Sequence, residues 1–119
     1  MNYLILISHR DAPTPDDPEA WAKLSEEEQN QVFADWQEIR DNPKVTTGSR
    51  LEPPEMATTV RVEDGQTLTT DGPFVAVKEA LNGWCILEAD DLDEAIEFAS
   101  KIPSARLGGA IEVRPVAQN

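Results

Sequence analysis

Few side chains in this sequence can move a proton or hold an anion. His9 is its single histidine, and it opens a segment, His9-Arg10-Asp11-Ala12-Pro13-Thr14-Pro15-Asp16-Asp17, that can continue neither a strand nor a helix. A histidine on a loop after a strand suits general acid–base work because its ordinary pKa lies near neutrality, although many loop histidines are simply solvated. Asp71, in Asp71-Gly72-Pro73, can point into a cleft or fold back to accept from the backbone two residues on; the turn role is the commoner one. If Asp71 and His9 converge, the carboxylate fixes the imidazole tautomer and raises its pKa, giving a general base. Lys78 and Glu79 can hold a small anionic ligand or pair with each other and water. Arg114, on the last strand, is a further candidate for the same cleft.

Other reactive groups point away from chemistry. Cys85, the single cysteine, lies in the apolar run Gly83-Trp84-Cys85-Ile86-Leu87, where burial opposes a thiolate. Asp90, Asp91, Asp93 and Glu94 lack the spacing and glycine of a calcium loop and stand at a helix start, which favours acids. One His and one Cys do not make a zinc site. No glycine loop matches a phosphate or dinucleotide fingerprint. The sequence therefore assigns no metal and no cofactor.

These groups must be positioned by a single domain, since 119 residues leave too little for a second core. Ten Lys and Arg against 23 Asp and Glu give a net charge of −13, which repels phosphate backbones and anionic lipid. Direct partnership with nucleic acid is excluded on that ground. No apolar stretch reaches the ~18 residues of a membrane span, and nothing at the N-terminus reads as a targeting signal. With no internal disulfide available, the expectation is a cytoplasmic protein.

Tyr3 to Ile7 is continuously apolar, as a strand covered on both faces should be, and Gly83 to Leu87 reads the same way. Asp17-Pro18 signals a short helix presenting Trp21. Ser25 and Glu28 form a capping box for a long helix with Val32, Phe33, Trp36 and Ile39 as its buried stripe, stopped at Asn42-Pro43. Val45 to Leu51 is a weaker edge strand broken by Gly48. Asp64-Gly65 joins Thr58–Val62 to Gln66–Thr70 in a hairpin, and a three-residue loop placing Leu68 opposite Val60 is the preferred register. Asp91 caps a second helix with Leu92, Ala95, Ile96 and Ala99 on one face. Ala110 to Val113 forms the last strand.

The order is an α+β, ferredoxin-like β-α-β-β-α-β arrangement with an inserted β-hairpin. That topology puts the first and third main strands at the sheet centre, and those are the two apolar runs. Helices cover one face of the sheet; pairing with a second copy is the simplest cover for the other, so a homodimer is expected.

Asp71-Gly72-Pro73-Phe74, Lys78-Glu79-Ala80-Leu81-Asn82-Gly83-Trp84, Asp91-Leu92-Asp93-Glu94-Ala95, Ile102-Pro103, Gly108-Gly109 and Ile111-Glu112-Val113-Arg114-Pro115-Val116 together resemble the YCII-related proteins of the DGPF type, from Tyr3 to Val116. The resemblance implies a ferredoxin-like fold that dimerises into an α+β barrel. It also implies that shorter relatives join a His and an Asp in a cleft, and that DGPF-type relatives often accompany sigma factors. This sequence departs from both patterns: its first long helix has no histidine, and Ala76 stands where a Glu is usual. Two functions remain open. One is an enzyme or binder for a small polar molecule near the Asp71–Phe74 turn. The other is a non-catalytic accessory module whose acidic surface favours a basic protein.

Overall fold

A computed structural model describes residues 1–72 and 81–118. The apolar run at the start forms β1 (Asn2–Ser8), and the second run forms β5 (Gly83–Glu88). Between them lie α1 (Pro18–Ala22), α2 (Glu26–Asp41), the edge strand β2 (Val45–Arg50), a short 3-10 turn at Pro54–Met56, and the hairpin strands β3 (Thr58–Glu63) and β4 (Gln66–Asp71). After β5 come α3 (Leu92–Ser100), α4 (Pro103–Arg106) and β6 (Ala110–Pro115). The main sheet has the order β2-β5-β1-β6, with each neighbouring pair antiparallel. This is the ferredoxin-like order, with the two apolar strands at its centre.

Local signals explain most boundaries. Asp17 accepts from the Ala20 N–H at 3.3 Å at the start of α1, with Pro18 at its first position. Ser25 Oγ accepts from the Glu28 N–H at 3.1 Å, which satisfies one orphan backbone donor at the start of α2, and the same hydroxyl donates to Glu28 Oε1 at 3.2 Å. Asp91 accepts from the Glu94 N–H at 2.9 Å, and Glu94 reaches back to the Asp90 N–H at 2.8 Å. Gly48 is needed in β2 because an added Cβ would lie 2.7 Å from both Cys85 Cβ and Trp84 O, closer than real contacts allow. The ladder also shifts register between Val45 and Thr47, a bulge on the edge strand.

Strand alternation splits the sheet into two unlike faces. Tyr3, Ile5, Ile7, Cys85 and Leu87 are buried under α3 together with Ala95, Phe98 and Ile102, and Trp36, Ile39, Val45, Ile111 and Val113 pack against them. Leu4, Leu6, Trp84 and Ile86 point the other way and stay half-buried in one chain. The expectation of central strands covered above and below is therefore met on one side within a single protomer.

Three expectations are corrected. Phe33 is 51% exposed rather than core; its ring meets Trp21 edge-on at 5.3 Å, outside the stripe that Val32, Trp36 and Ile39 carry inward. On α3 the buried side chains are Ala95, Phe98 and Ala99, while Leu92 and Ile96 face solvent. The hairpin pairs Arg61 with Leu68 and Glu63 with Gln66, which leaves a two-residue loop of Asp64 and Gly65. Both loop residues have positive φ, 51° and 77°, the mirror-image turn whose twist matches that of the flanking strands.

The hairpin stands apart. It forms its own two-stranded sheet, neither strand packs extensively on another described element, and the molecule extends 55 × 40 × 19 Å. Its root is tied by Gly72 N–H donating to Ala57 O at 2.7 Å and Thr59 Oγ1 donating to Gly72 O at 2.9 Å.

Candidate functional site

The end of β1 is where the described polar groups converge. As the strand leaves the sheet, the His9 N–H donates to Asn82 Oδ1 at 2.8 Å, and the Asn82 N–H donates back to Ile7 O at 2.8 Å. Asn82 thus clamps the chain on both sides of Ser8. His9 O accepts from the Ala12 N–H at 2.7 Å, which folds the loop back on itself. The imidazole Nδ1 lies 2.6 Å from Ser104 Oγ, on α4. The Gly109 N–H donates to Ser104 O at 2.7 Å, so the short helix and the start of β6 hold Ser104 in place.

Glycine at 109 is a packing requirement. An added Cβ would fall 2.5 Å from Ser8 O, 2.9 Å from His9 O and 2.9 Å from the Ser104 Cβ. Any side chain there forces apart the elements that pin the histidine.

Electrostatics at this point differ from the expectation of a carboxylate-raised histidine. Burial lowers the His9 pKa below its usual 6.5 because a half-buried ring resists charging, and Asp16 opposes this only in part. His9 is therefore neutral at pH ~7 and able to accept a proton. Beside it, Ser8 Oγ is buried and has no hydrogen-bond partner among the described residues. A buried hydroxyl without a partner costs about 1–3 kcal/mol.

The other sequence candidates fall elsewhere. Asp71 is exposed at the root of the hairpin, opposite Thr58 in the separate two-stranded sheet, and it is not among the groups that act on the His9 ring. Arg114 pairs with Leu4, while Ser8 pairs with Ala110, so the arginine stands toward the opposite end of β1 from His9. It is exposed and ion-paired to Glu112 on its own strand. Lys78 and Glu79 lie outside the described residues. Ser104 and Asn82, which do touch His9, carried no local signal: 95 and 73 positions separate them from it, and only the sheet topology joins them.

A groove of about 530 Å³ opens on the helical side, between α2 and α3, away from this cluster. Ile39, Leu87 and Phe98 line it, and of its four lining carboxylates all but Glu38 are ion-paired. Arg106 pairs with Asp35 at 2.8 Å, Lys101 with Glu97 at 3.8 Å, and Lys44 with Glu94. The Lys44 contact holds the Glu94 carboxyl below its usual range and the lysine above its own. Most of the groove's charges are thus engaged with one another, and such pairs offer little to a ligand. Among the described residues no group of three or more His, Cys, Asp and Glu converges as metal ligands do. Cys85 is buried, and desolvation pushes its thiol up to about 11, which keeps it protonated. No described helix is long and apolar enough to cross a membrane.

An antiparallel four-stranded sheet in ferredoxin-like order, with a histidine pinned at the end of its first central strand, is the frame in which comparison becomes informative. The chain belongs to the YCII-related family: the family model of the YCII-related domain matches residues 1–118. It is 34% identical over 122 residues to an uncharacterized protein of Rhizobium meliloti (strain 1021), an alignment covering 98% of this chain and 93% of that one.

Proposed function

We propose that the chain binds a small polar molecule beside His9, with the neutral imidazole as acceptor of a ligand proton, and that it works as a homodimer closed over the open sheet face. The observation that carries the reading is the 2.6 Å contact between His9 Nδ1 and Ser104 Oγ in a half-buried setting that keeps the ring uncharged. In this reading Nδ1–H donates to Ser104 Oγ, which leaves the Nε2 lone pair for the ligand. Asp71 serves as an outlying charged contact for the ligand rather than as the partner of His9. Lys78 and Glu79, outside the described residues, stay the sequence's candidates for a charged end of the ligand.

Nitrogen-15 NMR of the imidazole tests this. The expected result is a pKa below 6.5, an Nδ1–H tautomer, and fragment-induced shifts that centre on His9, Asn82 and Ser104. A histidine that is charged at neutral pH, or fragments that perturb only other regions, would overturn it. The accessory-module reading is separated by the same sample: it expects thermal stabilisation by a protein partner and none by any small molecule.

A further inference from the structure

Among the described residues the hairpin of β3 and β4 gains no third strand, and beyond its root it has little to pack on. A two-stranded hairpin alone in water is marginal, and three strands or a packed face are ordinarily needed. Eleven of the twelve strand positions of Thr58–Glu63 and Gln66–Asp71, all but Thr59, are exposed, and Val60 and Val62 are 60% and 66% exposed on one face with Thr69 and Thr67 across from them. Met56, at the root, is 69% exposed. A β-branched, apolar-centred face on a projecting element asks for a surface to lie on.

From this we propose that the Val60–Val62 face of the hairpin is an arm that lies on a second copy of the same chain; the proposal rests on the homodimer described above. Area selects that occupant. The open face of the main sheet has four strands. At about 4.8 Å between strands and about 3.3 Å per residue, a face six residues long has a footprint of roughly 400 Å². A standard stable interface buries about 800 Å² on each partner, so the sheet faces alone fall short by about half. Each arm, at the same spacings, covers roughly 200 Å². In a two-fold dimer every protomer both gives an arm and receives one, which adds roughly 400 Å² a side and closes the difference.

Sedimentation velocity over a concentration series, with hydrogen exchange on the same samples, tests the assignment. The variants are Val60→Lys/Val62→Lys, which keeps the hairpin, and a replacement of residues 58–71 by a short Gly-Ser link; circular dichroism checks that each is folded. The expected result is a wild-type dimer, at least tenfold weaker association in both variants, and arm amides protected only at concentrations where wild type is dimeric. Folded variants that associate as tightly as wild type overturn the arm and leave the sheet-face dimer standing. A monomeric wild type overturns the dimer and the arm together. Arm protection that persists in monomeric protein overturns the arm as well.

Discussion

At His9 the decisive quantity is the direction of its pKa. Burial holds it below the usual 6.5, so between the folded and unfolded values the unfolded chain binds more protons. Stability contributed by the neutral ring is fully present above the unfolded value and is lost as pH falls through the folded one. Urea unfolding at about pH 7 and about pH 5 should therefore show a larger loss for wild type than for His9→Gln, because carboxylates such as Glu94 titrate alike in both. Equal losses would mean the ring is not desolvated. The cluster around it was only half readable in the sequence. His9 stood out as the single histidine after a strand, but Ser104 and Asn82 are ordinary residues made specific by β1 lying beside β6 and β5. Sequence attention to Asp71 followed a turn motif, and a turn motif says where the chain bends without saying which sheet it bends in.

Elements with their own start and stop chemistry were legible. Ser25-x-x-Glu28, Asp91 and the paired apolar runs of β1 and β5 appear in the structure where capping and burial require them. Faces were harder, because helical spacing admits neighbouring stripes some 100° wide, and the choice between them is made by what lies opposite. Phe98, 9% exposed, took a core place that spacing had given to Leu92 and Ile96, while Phe33 went outward to Trp21. Phe98→Ala should cost about 3 kcal/mol in urea unfolding and Phe33→Ala less than about 1 kcal/mol. The opposite ranking would exchange their places. The hairpin register differs for a related reason: pairing Leu68 with Val60 needs a dry face to choose it, and the hairpin has none among the described residues, so the turn geometry of Asp64 and Gly65 decides.

For the whole molecule, charge and association oppose each other. Two copies at −13 each repel before any apolar surface meets. Since the Debye length shrinks from about 30 Å at 0.01 M to about 10 Å at 0.1 M salt, the proposed dimer should tighten as salt is added over that range. Weakening with salt, measured by analytical ultracentrifugation, would point to an interface built on ion pairs instead.

The strand order has a consequence for synthesis. β1 is made well before its strand partners among the described residues, β5 and β6, whose residues begin at 83 and 110. Ile5, fully enclosed in the folded protein, has no strand to pair beside until β5 has been made. The nascent chain thus carries this apolar segment without a strand partner while about 75 further residues are made, and demand for chaperones falls on β1.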